Sequence, residues 1–118
     1  MIRRLAELIR EPKLAIRGGV GAAVSMTYLQ AGDMDGVLGA GRTVLEPGAS
    51  VGHHPHPASE ELYLILEGHG QGALDGIAFP VGPGDLFLVK AGQSHGLSND
   101  SSEPLAYFAV LTRQTATP

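Results

Sequence analysis

Cysteine and tryptophan are both absent from this chain of 118 residues. Without cysteine there is no disulfide, no thiolate metal ligand and no cysteine nucleophile, and a reducing compartment is compatible with that absence. Basic residues are scarce. Eight Lys and Arg against twelve Asp and Glu give a formal charge of −4, the opposite of the basic face that nucleic acid selects. No apolar run approaches the roughly 20 residues of a membrane helix. The opening MIRRLAELIREP interrupts its apolar residues with charge, so it lacks a signal peptide's hydrophobic segment. Asn99-Asp100-Ser101 has the form of a glycosylation acceptor, and without a secretion signal it is read as chance. These absences lead us to expect a cytoplasmic protein that partners neither nucleic acid nor membrane.

Glycine is abundant instead. The 17 glycines are about twice the average share, and they separate short runs rich in Val, Leu, Ile, Phe and Tyr. That distribution predicts many short strands joined by tight turns, an all-β barrel or sandwich. A chain of this length buries roughly two-thirds of its unfolded surface, enough for one core. We expect a single domain over 1–118, with the barrel core at about residues 20–113.

Ile2, Leu5, Leu8 and Ile9 have helical spacing ahead of Pro12, which predicts a short N-terminal helix on the barrel, with a strand or irregular arm as the alternative. Strands are predicted at Ala22 to Gln30, Val37 to Leu45, Glu61 to Leu66, Gly70 to Leu74, Ile77 to Val81, Leu86 to Val89, around His95, and at Leu105 to Thr112. Asp75-Gly76 is the hairpin signal between the fourth and fifth of these. The Thr-rich tail is expected to fray. Along the Glu61 strand, alternation puts Tyr63 and Ile65 on the same inward face as Glu61, and Leu62, Leu64 and Leu66 on the other. Leaving such leucines in water costs roughly 1.5–3 kcal/mol each, so another layer must cover them. A homodimer through sheet packing is the favoured cover, with the N-terminal helix or a further sheet as alternatives.

Four histidines and a glutamate fall in two short stretches, Gly48 to Gly68 and Gly84 to Asn99. His54 and His56 are two apart, so on an extended strand both point to one face. Glu61 follows after a break, and His95 comes from a different strand. Three neutral imidazoles and a carboxylate can hold a divalent cation and still leave positions for a ligand.

These stretches resemble the two motifs of the cupins. The first motif is a glycine, five residues, His-x-His, three or four residues, Glu, six residues and a glycine; it falls on Gly48, His54, His56, Glu61 and Gly68 without adjustment. The second, a glycine, five residues, Pro-x-Gly, two residues, His, three residues and Asn, falls on Gly84, Gly92, His95 and Asn99, with Lys90 in the proline's place. The resemblance implies a jelly-roll β-barrel with one divalent metal ion per chain, Fe, Mn, Zn or Ni, held by His54, His56, Glu61 and His95. Losing the proline removes a φ-fixing residue, which puts the rigidity of that turn in question.

Glu60 fits the shorter permitted spacing, but only Glu61 leaves six residues before Gly68, so Glu61 is preferred as ligand. His53 should point away from the metal by the strand period, and His69 receives no role. Tyr63 and Arg42 are the candidate catalytic or substrate-contacting residues: Tyr63 could present a hydroxyl, and an inward-facing Arg42 could bind a carboxylate in bidentate fashion. Tyr107, Phe87 and Gln93 are weaker candidates. The expected function is an enzyme acting on a small oxygen-rich or carboxylate-containing molecule, with dioxygenase chemistry favoured. The alternatives are a metal-dependent isomerase, lyase or decarboxylase, and a non-catalytic cupin that binds a small-molecule ligand.

Overall fold

The glycine-delimited runs become ten strands in the computed structural model, which describes residues 1–114; the Thr-rich tail at 115–118 lies outside them. In chain order they are β1 (Glu11–Leu14), β2 (Ala22–Gln30), β3 (Val37–Leu45), β4 (Ser50–Pro55), β5 (Ser59–Glu67), β6 (Gly70–Leu74), β7 (Ile77–Val81), β8 (Leu86–Val89), β9 (Ser94–Ser98) and β10 (Leu105–Arg113). They form two antiparallel sheets, one of six strands in the order β1-β2-β3-β10-β5-β8 and one of four in the order β4-β9-β6-β7. Sequence neighbours repeatedly lie in different sheets, which is how a jelly roll closes a core between two layers. Leu45, Ile65, Val89, Leu97 and Leu105 are buried in it.

The N-terminal helix does not form. Among the described residues the only helical elements are single 3-10 turns, Leu5–Glu7 and Ile16–Gly18; residues 1–10 form the irregular arm of the alternative, and β1, which follows, pairs antiparallel with β2. The physical reason is that the apolar stripe finds nothing to pack on. Ile2 and Ile9 stay 68% and 79% exposed, and a short helix without tertiary support does not recover its nucleation cost. Pro12 is tolerated because β1 is an edge strand.

Alternation along β5 follows the expectation. Tyr63 and Ile65 are buried, while Leu62, Leu64 and Leu66 are partly exposed on the opposite face. That face continues onto β8, where Leu86 and Leu88 are 55% and 42% exposed. At the β6–β7 hairpin, Asp75 and Gly76 both take positive φ (48° and 81°), the conformation of a type I′ turn. The Asp75 carboxylate also accepts from the Ser94 amide (2.9 Å) and Gln93 Nε2 (3.1 Å). The hairpin is thereby tied to the start of β9, the strand that carries His95.

Candidate metal centre

Three strands deliver the clustered side chains. His54 lies on β4, directly across the antiparallel ladder from His95 on β9. His56 follows just beyond the end of β4, and its amide donates to the Gln93 carbonyl (2.9 Å). Glu61 enters from β5 in the other sheet. The two-residue period holds: His54 and His56 are buried, whereas His53 and Pro55 are exposed.

The donor atoms converge closely. His54 and His56 Nε2 are 3.2 Å apart, His56 and His95 Nε2 3.0 Å, and His54 and His95 Nε2 3.2 Å. Glu61 Oε1 lies 3.4 Å from His56 Nε2 and 3.2 Å from His95 Nε2. Only the sixth pair is long: the ligand atoms of His54 and Glu61 are within 4.8 Å, but beyond 4.0 Å. A tetrahedral centre with donors at about 2.1 Å would put all six pairs about 3.4 Å apart. An octahedral one with donors at about 2.2 Å puts adjacent pairs about 3.1 Å and opposite pairs about 4.4 Å apart. Five short separations and one long one match four corners of an octahedron, with His54 opposite Glu61. The two remaining corners are adjacent.

The protonation pattern fits a cation as well. His54 Nδ1 donates to the Gly52 carbonyl (2.6 Å); a carbonyl only accepts, so the neutral ring directs its Nε2 lone pair into the cluster. His56 Nδ1 bonds to Ser59 Oγ (2.8 Å). His95 is 0% exposed and its Nδ1 has no hydrogen-bond partner, so that ring's polar contacts are all at the cluster side. Burial is the main influence holding both His54 and His56 below the ordinary 6.5, with the neighbouring His95 adding to it, the Gly52 carbonyl opposing it at His54, and Arg17 a smaller lowering influence on both. Neutral imidazoles are the form that binds metal. The donor set fits a divalent cation.

A cavity of about 520 Å³ opens beside the cluster and reaches His54, His56 and Glu61. Its wall is rich in hydroxyls. Tyr63, Tyr107, Thr43 and Ser25 all border it, and Thr43 Oγ1 lies 2.9 Å from Ser25 Oγ. The Tyr63 ring also packs 4.7 Å from His95 and 4.5 Å from Tyr107, centroid to centroid. Burial raises Tyr63 well above 10 and pushes Tyr107 up to about 12. Both phenols therefore remain protonated hydrogen-bond donors near neutrality.

Other candidates stand apart from the cluster. Arg42 borders the cavity, but its guanidinium pairs with Glu67 (3.8 Å). The alternation that turns Thr43 inward sends the Arg42 side chain to the outer face of the sheet. Glu60 is not among the converging groups. Phe87 is core, packed against Tyr63. Gln93 holds the second-motif turn: its Oε1 accepts from the Lys90 amide (3.0 Å) and its amide donates to the Lys90 carbonyl (2.9 Å). A proline at 90 could not make the first of these bonds, so the lysine exchanges a fixed φ for an amide that closes the turn. Asn99 is buried; its Nδ2 donates to the carbonyls of Leu45 (3.0 Å) and Glu103 (2.8 Å), which leaves no room for a glycan. His53 and His69 are exposed. Sequence reasoning missed Ser59 and Gly52, which reach the centre through hydrogen bonds that no motif spells out, and Arg17, which borders the cavity.

The fold and centre define a cupin: the Cupin domain family matches residues 41–111, and the chain belongs to that family. Over 114 residues it is 35% identical to an oxalate-binding protein of Thermotoga maritima, covering 94% of this chain and 93% of the relative. The crystal structure of a predicted oxalate decarboxylase from Thermotoga maritima superposes with a TM-score of 0.92 at 32% identity, over 96% of this chain and 99% of that one. A sugar phosphate isomerase of the cupin superfamily from Silicibacter pomeroyi gives a TM-score of 0.78 at 25% identity, over 97% of this chain and 76% of that one. Among the described residues no helix is long and apolar enough to cross a membrane.

Proposed function

We propose that this cupin binds one divalent cation through His54, His56, Glu61 and His95 and holds a small carboxylate of the oxalate type against it. The observation that carries this reading is the donor pattern, five short separations and one long, which leaves two adjacent corners for a ligand with paired oxygens. An octahedral preference favours Mn(II), Fe(II) or Ni(II) over Zn(II). The relative named for binding oxalate supports the ligand class. When bound, the cation would supply Lewis acidity toward the ligand's oxygens.

The chain's own residues favour binding over proton-transfer chemistry. Among the described residues Glu61 is the only carboxylate bordering the cavity, and it is assigned to the cation. Tyr63 and Tyr107 are held protonated, so neither serves as a base. Isomerase, lyase or decarboxylase activity would need a separate acid or base. Dioxygenase chemistry is the second reading, favoured by the adjacency of the two corners, and dioxygen uptake by the iron-loaded protein tests it. The same proposal places the protein in the cytoplasm, as a homodimer that covers the leucine face of β5 and β8.

Elemental analysis of the purified protein should find about one divalent ion per chain. His54→Ala with His56→Ala should remove it while the β-rich circular dichroism persists. Manganese-loaded wild type should bind oxalate in a calorimeter. Wild-type metal content in the double variant would refute the ligand assignment; absence of oxalate binding would refute the ligand class.

A further inference from the structure

We infer that Arg17 is the anion-recognition residue of this site, its guanidinium taking the carboxylate oxygens of the ligand that face away from the cation. The inference rests on the carboxylate-binding reading above and adds the group that would select for charge. Among the described residues three cationic ones border the cavity: Lys13, Arg17 and Arg42. Lys13 Nζ has Glu11 at 3.4 Å, and Arg42 has Glu67 at 3.8 Å. Arg17 alone among them has no acidic partner among the described residues. A guanidinium offers a planar fork that matches a carboxylate edge, and an unpaired one beside a cation-binding cluster is a place for an anion.

The backbone holds Arg17 there at a cost. It lies in the 3-10 turn Ile16–Gly18 with φ 53° and ψ 38°, and Ala15 before it has φ 51° and ψ 51°. Two consecutive-but-one non-glycine residues in the left-handed region are unfavourable and persist only when the surroundings impose them. The surroundings here are β4. The Ser50 amide donates to the Val20 carbonyl (2.8 Å) and Ser50 Oγ accepts from the Val20 amide (3.0 Å). Gly52 and Gly19 have no Cβ, which lets the turn lie directly on the strand: a Cβ at Gly52 would collide with the Arg17 carbonyl, and one at Gly19 with the Ser50 carbonyl. Gly52 is also the residue whose carbonyl orients His54 (2.6 Å). The turn is thus clamped to the strand that carries a metal ligand.

Calorimetric titration of manganese-loaded protein with oxalate tests the inference, with metal stoichiometry and melting temperature measured on every variant. Arg17→Gln should keep the metal and bind oxalate about 10- to 100-fold more weakly, and Arg17→Lys should recover part of the loss. Arg17→Gly should melt at the wild-type temperature or above it, because glycine accepts φ 53° without strain, and should still lose the affinity. That split between stability and binding is one a merely structural role would not produce. Wild-type oxalate affinity in Arg17→Gln and Arg17→Gly would overturn the assignment and leave the carboxylate reading standing. Loss of the metal in both variants would also overturn it, because Arg17 would then be supporting the cluster. If wild type itself bound no oxalate, the carboxylate reading and the assignment would fall together.

Discussion

Gly52→Ala adds one methyl group at the point where the N-terminal turn meets β4, the strand that carries His54. The new Cβ would collide with the Arg17 carbonyl and lie 2.7 Å from the Gly19 nitrogen and 2.9 Å from the Gly18 carbonyl carbon. These are backbone atoms that cannot rotate away, so either the strand distorts or the turn lifts. Overpacking of this kind costs about 1–3 kcal/mol. Lifting the turn forfeits the two Ser50–Val20 hydrogen bonds at about 1 kcal/mol each. Either route gives about 2 kcal/mol. An unfolding entropy of about 2.1 cal/mol/K per residue, about 0.25 kcal/mol/K for this chain, makes that a fall of about 8 °C in Tm. Metal affinity should drop in parallel by about 10- to 100-fold, because Gly52 supplies the carbonyl that orients His54. Gly39→Ala is the control: the nearest atom to its added Cβ is the Leu29 carbonyl at 3.7 Å, an ordinary contact. Calorimetric melting and competition against a chelator read the two effects. Equal melting temperatures and metal affinities for the two variants would refute the close-approach argument.

Asn99→Ala should destabilise by about 1–3 kcal/mol, because the buried Leu45 carbonyl loses its donor, with metal stoichiometry unchanged; loss of the metal would mean that Asn99 acts on the site. The metal-free protein should lose stability on mild acidification. His54 and His56 lie below 6.5 in the folded state, so the unfolded chain takes up protons that the folded one refuses. Their contribution is full above pH 6.5 and is lost as pH falls through the folded values. Denaturant titrations from about pH 7.5 to 5 should show this slope, reduced in the His54→Ala, His56→Ala protein; equal slopes would contradict it. Leu64→Glu with Leu88→Glu should convert a dimer to a monomer in sedimentation experiments, and a monomeric wild type would dispose of the proposed interface.

Eight of the ten strands, all but β1 and β4, were legible in the sequence because their causes are local. Glycines mark the turns of this chain, Asp75-Gly76 sets a hairpin by its own φ preference, and period-two alternation sorts Tyr63 and Ile65 from Leu62, Leu64 and Leu66. The clustered side chains were legible through the two motifs, and the strand period separated His54 and His56 from His53. The N-terminal segment was misread because Ile2, Leu5, Leu8 and Ile9 satisfy a helical pattern, and only the absence of a packing partner denies it. Lys90 was read as a weakened turn, since its bond to Gln93 is a side-chain contact that no backbone rule anticipates.

By itself the sequence determined the β-architecture, the four side chains that cluster and the faces of the strand residues among them, all of which follow from spacing along the chain. Tertiary structure alone decided which cation at the cavity is left without an acidic partner among the described residues. Arg42 turns outward to Glu67, and Arg17, outside both motifs, is laid against β4 because Gly19 and Gly52 let two backbones touch. Such an approach depends on atoms missing from two separate places in the chain, and only folding brings those places together.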